Sequence, residues 1–316
     1  MVVVPNQISS DLPPLSAGLS RDKQGYSYQP LPIGVFDSGV GGLTVLKELR
    51  RQLPHESFLY FGDTAHVPYG VRSQAEILHF SRQILAWMTQ QPIKMAIMAC
   101  NTSSALALDD VRLEFDVPVI GIILPGARAA VKQGRRIGVI ATPATVASNS
   151  YAQAIQEIDP TIEVFQRACP EFVPLIESNK LLEPETLAVV RQHIQPLLAE
   201  GIDTLVYGCT HYPHLAPIIE PLLPEGVELV DPAVHMTKAT RQELRLLQLQ
   251  NSQPAQPPRF CVSGCPHQFA ELSRQWLGFL PAVDRVILPE LVTAELSPEP
   301  LEPLEESMLS GQLTEA

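Results

Sequence analysis

Between residues 33 and 230, short apolar runs alternate with longer stretches in which apolar positions recur every three or four residues. The runs at 33–36, 58–61, 94–99, 119–123, 136–140, 161–165, 204–207 and 227–230 read as strands covered on both faces, because such strands are apolar throughout rather than at alternate positions. The spacing over 43–53, 74–88 and 185–198 predicts helices with one apolar face. Alternation of strand and helix predicts an α/β protein with mainly parallel, open sheets. Residues 1–31 are rich in Pro, Ser, Gly and Gln and show no sustained period. They read as a disordered extension, and 291–316, with its many Glu and interspersed Pro, as a flexible acidic tail.

The pattern also repeats. Ile33-Gly34-Val35-Phe36-Asp37 resembles Ile137-Gly138-Val139-Ile140-Ala141, 104 residues later. Ala96-Ile97-Met98-Ala99-Cys100-Asn101-Thr102 resembles Leu205-Val206-Tyr207-Gly208-Cys209-Thr210-His211, 109 residues later. Two matches at nearly one offset predict two pseudo-symmetric halves. The first covers 32–125 and is completed by about 232–290; the second covers 126–231.

Composition narrows the function. The chain has 316 residues, 45% hydrophobic and 18% charged, enough for globular cores. A formal charge of −12 argues against nonspecific binding to nucleic acid, while an acidic small molecule remains compatible with a locally positive pocket. Seven of the acidic side chains lie at 290–316, where there is no Lys or Arg; setting them aside reduces −12 to −5. No basic segment followed by a long apolar run opens the chain, and the most apolar stretch, 117–124, is far shorter than the roughly 20 residues of a membrane span. Five widely spaced cysteines do not form a disulfide framework and point to a reducing cytoplasm.

Two of those cysteines carry chemistry. Cys100 and Cys209 each end a predicted strand and precede a polar helix start, where ligands of open α/β sheets collect. A helix N-terminus there favours a thiolate. Thiols facing one ligand from opposite sides suit inversion of a stereocentre, which needs a base on one face and an acid on the other. Buried cysteines are usually inert. The flanks Asn101-Thr102-Ser103-Ser104 and Thr210-His211-Tyr212 put polar groups where an apolar core would not want them. Cys169, Cys261 and Cys265 read as structural, and the spacing of the last two is not that of a zinc site. Asp37-Ser38-Gly39-Val40-Gly41-Gly42 matches neither a dinucleotide fingerprint nor a P-loop; it is either a carboxylate-binding turn or a plain βα turn. Gly62 to Gly70 is either a long loop or a rigid turn projecting Tyr69 and an open backbone group. His211, two residues from Cys209, is a candidate partner for its proton, and Asp37 ends a strand beside the presumed cleft.

Taken in order, Asp37–Gly42, Asp63-Thr64-Ala65-His66-Val67-Pro68-Tyr69-Gly70, Ala99-Cys100-Asn101-Thr102-Ser103 and Gly208-Cys209-Thr210-His211-Tyr212-Pro213 resemble the glutamate racemases of the aspartate/glutamate racemase family. The segments at 121–126 and 168–174 are similar to further parts of that family, and the likeness spans about 31–290. The resemblance implies two pseudo-symmetric α/β domains with the site between them. It implies interconversion of L- and D-glutamate without pyridoxal phosphate, other cofactor or metal, supplying D-glutamate for peptidoglycan, and often a homodimer. It assigns Cys100 to the α-proton of D-glutamate and Cys209 to that of L-glutamate, assisted by Asp37 and His211. Asp37, Ser38, Tyr69, Gly70, Asn101, Thr102, Thr210 and His211 are then substrate-binding. Glu171 lies where the family often has a glutamate or an apolar residue nearby, and Cys265 where it often has Asp. Two alternatives stand beside this: a racemase of aspartate or hydantoins, and a catalytically silent binding protein using its extended termini. Both thiols and their polar neighbours being intact argues against the second alternative.

Overall fold

The structure is a computed structural model, described here for residues 17–22, 25–181 and 183–291. Twelve strands run in chain order: β1 (Ala17–Asp22), β2 (Gly25–Pro30), β3 (Ile33–Asp37), β4 (Phe58–Gly62), β5 (Met95–Met98), β6 (Val119–Gly121), β7 (Arg136–Ala141), β8 (Glu163–Ala168), β9 (Thr204–Gly208), β10 (Glu228–Val230), β11 (Arg259–Val262) and β12 (Val283–Arg285). They form a six-stranded sheet, β12-β11-β4-β3-β5-β6, and a four-stranded sheet, β8-β7-β9-β10, each parallel throughout. This is the open, parallel α/β architecture that the patterning predicts.

The repeat is visible in strand order. In β4-β3-β5-β6 and again in β8-β7-β9-β10, the strand first in sequence sits between the second and the third. Val35 pairs with Tyr60 and Ile97 on its two sides, and Val139 with Gln166 and Val206. The order reverses between first and third strands, so in each sheet a crevice opens at their carboxyl ends. Asp37 and Cys100 lie at one such point, Ala141 and Cys209 at the other.

Why these strands are apolar at every position follows from what covers them. Ile33 and Val35 of β3, Met95 and Ile97 of β5, Ile137 and Val139 of β7 and Val206 of β9 all enter one cluster shared by the two sheets. The helices Leu43–Gln52, Ile123–Gln133 and Pro232–Leu246 pack together in that shared layer. Phe36, Ala96 and Met98 point the other way, under the helices Gln74–Met88 and Asn101–Glu114. Ile140, Leu205 and Tyr207 point under Phe172–Glu177 and Pro184–Ala199. Alternate residues thus serve different cores, as the two-residue period of a strand requires, and full burial of each such side chain contributes about 1.5–3 kcal/mol.

Three differences from the sequence reading have physical causes. β11 and β12 went unpredicted: β11 is only four residues long and β12 is the polar Val283-Asp284-Arg285 at a sheet edge. Residues 122–123, read as strand, already open a helix, because the crossover turns immediately after Gly121. Disorder across 1–31 does not hold for all of it, since β1 and β2 pair antiparallel from Ala17 opposite Pro30 to Asp22 opposite Gly25. A two-residue connection between equal segments is hairpin spacing, which satisfies backbone groups without an apolar period. The remainder of 1–31, apart from 31, and the tail from 292 lie outside the described residues. Among the described residues no helix is long and apolar enough to cross a membrane.

Candidate active site

A cleft of about 410 Å³ collects the carboxyl-end loops of both sheets. The six-stranded side contributes Ser38, Tyr69, Gly70, Cys100, Asn101 and Thr102; the four-stranded side contributes Thr142, Cys169, Glu177, Cys209, Thr210 and His211. Of the residues expected from sequence, only Asp37 is not in its lining, lying fully buried beneath it.

Asp37 ends β3 and is held from both sides. Gly39 N–H donates to Oδ2 at 3.1 Å, and the Thr210 hydroxyl, from the opposite sheet, donates to Oδ1 at 3.4 Å. Burial pushes its carboxyl up, against the opposing pull of His211 and these hydrogen bonds. Two close approaches explain glycines of this turn. A Cβ on Gly42 would lie 2.5 Å from that of Asp37, and one on Gly41 would lie 2.4 Å from the His211 ring. The turn is shaped around Asp37 and His211, which favours a functional over a merely connecting role.

The two thiols are in unlike surroundings. Cys100 is the N-cap of Asn101–Glu114, and its Sγ is 4.0 Å from the Ser38 hydroxyl. Burial pushes the thiol up to about 12; the Asp37 charge adds to the rise and that of Cys209 adds less, while Ser103 N–H opposes it. The helix start, expected to favour a thiolate, is outweighed at Cys100 by desolvation. Cys209 Sγ lies 3.8 Å from Nδ1 of His211, whose Nε2 is 3.0 Å from Glu177 Oε1. Burial pulls His211 down, but Cys209 and Glu177 more than offset it and raise the imidazole to about 10. The ring is also set edge-on to Trp276, at 5.9 Å and 87°.

Other site residues take more specific places. The Tyr69 hydroxyl donates to buried Asp63, which also binds His66 and Ser263. Tyr69 therefore offers the cleft its ring and backbone rather than its phenol. A Cβ on Gly70 would come within 2.7 Å of Thr142 Cβ, so the loops of the two sheets touch there. Thr102, Thr142 and Thr145 form a triangle of hydroxyls at 3.0–3.1 Å, again across the two sheets.

Sequence reasoning missed Glu177 and Thr142. It singled out Glu171, six residues before Glu177; Glu171 instead pairs with His193 at 2.9 Å and is absent from the cleft lining. Nothing in spacing separates two glutamates bracketing one short helix; packing against His211 does. Cys169, read as structural, does line the cleft, with burial pushing its thiol far up. Among the described residues the cleft lining contains no Lys or Arg, so the positive pocket foreseen for an acidic ligand rests on His211 and on N–H and O–H donors. Among the described residues no group of three or more His, Cys, Asp or Glu is arranged to hold a metal ion.

Two parallel sheets that share one four-strand order, each placing a cysteine just beyond its third strand at one shared cleft, define a duplicated α/β protein with a pair of thiols at that cleft. Residues 33–240 match the family model described as Asp/Glu/Hydantoin racemase, and the chain belongs to that family. It is 62% identical over 274 residues to the glutamate racemase of Gloeothece citriformis, covering 87% of this chain and 99% of that one. It is 63% identical over 270 residues to that of Synechocystis sp., covering 85% and 96%. Among solved structures it is similar to glutamate racemase isoform RacE1 from Bacillus anthracis, with TM-score 0.79 and 38% identity over 82% of this chain and 98% of that one. It is also similar to the glutamate racemase of Francisella tularensis in complex with D-glutamate, with TM-score 0.77 and 36% identity over 81% and 97%.

Proposed function

We infer that this protein is a glutamate racemase, an isomerase interconverting L- and D-glutamate. The observation that carries the chemistry is the pair Cys100 and Cys209, one from each sheet, lining one cleft. The choice of glutamate rests on the extensive identity to glutamate racemases. In this reading the α-carbon lies between the two sulfurs. One thiolate removes the α-proton while the opposite thiol delivers a proton to the other face, and the roles exchange with the hand of the substrate.

The unlike surroundings support a division of labour. Cys209 is assigned the proton of L-glutamate. His211, kept cationic by its neighbours, offsets the thiolate there, and Glu177 holds the imidazole. Cys100, pushed up to about 12, starts as the thiol that reprotonates the opposite face. For D-glutamate, Cys100 is the base, with buried Asp37 at its side. Ser38, Gly70, Asn101, Thr102 and Thr210, with the backbone of Tyr69, are assigned to the substrate's polar groups, and the reaction is assigned no metal or cofactor.

Two structural units go with this reading, 32–125 plus about 232–290 and 126–231, each built on one sheet. So does a cytoplasmic setting, supported by five free thiols. The implied homodimer is checked by light scattering. The product supplies D-glutamate for cell-wall peptidoglycan.

Incubation of the purified protein with L-glutamate in D₂O, without added cofactor, tests the activity. The expected result is loss of optical rotation with α-deuterium in the product. Retained rotation and no deuterium, in a folded sample, removes the reading; turnover of aspartate instead transfers it to the aspartate branch.

A further inference from the structure

Tyr151 is a fully buried tyrosine on the helix Ser150–Ile158, which follows β7 of the four-stranded sheet. Its hydroxyl is 2.7 Å from Asn101 Oδ1, across to the residue that follows Cys100 on the six-stranded side. Asn101 is 3% exposed and lines the cleft. Its other amide atom, Nδ2, is buried and has no hydrogen-bond partner among the described residues. Unpaired buried donors are rare in native proteins, because the group loses water and gains nothing. Asn101 belongs to the lining of the cleft, where a ligand can bring the acceptor that this donor lacks.

The hydrogen bond with Tyr151 takes up one end of the amide. Burial, with the charges of Asp231 and Cys209, pushes the phenol's ionisation up, so the hydroxyl remains a proton donor. In the structure the phenol donates to the amide oxygen, and the NH₂ is left for another partner. The phenol is closely confined as well: a Cβ on Gly126 would be 3.3 Å from its oxygen and 3.0 Å from Pro232. The ring belongs to the core shared by the two sheets, so its position is set by both.

We propose that Tyr151 is a positioning residue which, by hydrogen-bonding the Asn101 carbonyl oxygen, fixes the Asn101 amide N–H₂ as a donor for a carboxylate oxygen of the bound amino acid. This rests on the racemase reading above and deepens it. In a cleft whose described lining holds no Lys or Arg, an aligned neutral amide is one of the groups that can meet a carboxylate. Tyr151 touches no substrate; it acts only through Asn101.

The test is Tyr151→Phe, which keeps the ring and removes the hydroxyl. Wild-type racemisation of glutamate is measured first, so that failure of the activity itself is told apart from failure of this inference. The expected result is a KM raised about tenfold for both enantiomers, with kcat within about threefold of wild type, the signature of lost uniform binding. In an Asn101→Ala background, Tyr151→Phe should add no further rise in KM. Unchanged KM in the single variant, or an additive rise in the double one, overturns the proposal. A second measurement needs no Tyr151 variant: in ¹⁵N-asparagine-labelled wild-type protein, the side-chain N–H₂ signals assigned by their loss in Asn101→Ala should shift on adding glutamate. Signals that stay in place at saturating glutamate overturn it equally.

Discussion

Cys100 and Cys209 occupy equivalent positions at the ends of β5 and β9, and what differs is the charge beside each sulfur. Cys100 has the carboxylate Asp37 nearby, and Cys209 has the imidazole of His211, raised to about 10. Replacing either thiol by Ala should lower kcat by about a thousandfold or more, in keeping with the loss of an acid or base. Near wild-type turnover in either variant is incompatible with two-base chemistry. His211→Ala should reduce kcat more for L- than for D-glutamate. Because the enantiomers are equal in energy, kcat/KM must fall equally in both directions, so the asymmetry shows in kcat and KM separately. Equal kcat losses would remove the special tie of His211 to Cys209. A pH effect follows as well. His211 binds its proton more tightly in the folded chain than at its ordinary 6.5. Its contribution to stability is therefore complete below pH 6.5 and is lost as pH rises through about 10. The Tm difference between wild type and Glu177→Gln, which removes part of that rise, should shrink over this window; a constant difference argues against a cationic His211.

At the scale of elements, the links between strand ends matter as much as the strands. Lys94, just before β5, has no exposed side-chain surface and binds Glu56 at 2.5 Å, Leu249 O at 2.6 Å and Asn251 at 2.8 Å. Glu56 in turn accepts from Asn251 N–H at 3.0 Å. The cluster ties the connection that follows the helix Pro232–Leu246 to the amino ends of β4 and β5. Glu56→Ala leaves the ammonium buried without its counter-charge and should cost about 3–5 kcal/mol, measured by denaturant unfolding, with KM unchanged because the site is at the opposite strand ends. A cost below about 1 kcal/mol would mean that Lys94 finds water. None of this was legible in the chain pattern, since Glu56 and Asn251 are far apart in sequence. By contrast, the helix over 74–88 was readable from its apolar spacing, and in the structure Ser73 and Glu76 close its start as a capping box.

Across the whole molecule, the cleft depends on the core and helices that the two sheets share. Gly70 against Thr142 is a contact point between the two sides. Gly70→Ala should wedge the loops apart and lower kcat/KM by about 10- to 100-fold, since misplacement of about 1 Å is worth that much. Circular dichroism should remain that of the wild type. Wild-type kinetics would show that the loops move freely and that closure is not set there.

Sequence by itself determined the alternation of strand and helix, the duplication, and the place of Cys100, Cys209, Asp37 and His211 at strand ends or just beyond. Those features are local or periodic, and a two-residue or 3.6-residue period is written directly into the chain. The tertiary structure alone decided that Glu177 rather than Glu171 reaches His211, that the Tyr69 phenol turns to Asp63, and that burial raises Cys100 despite its helix N-terminus. Each is set by which distant groups come within hydrogen-bond reach and by how much water is excluded, and neither is encoded at any single stretch of the chain.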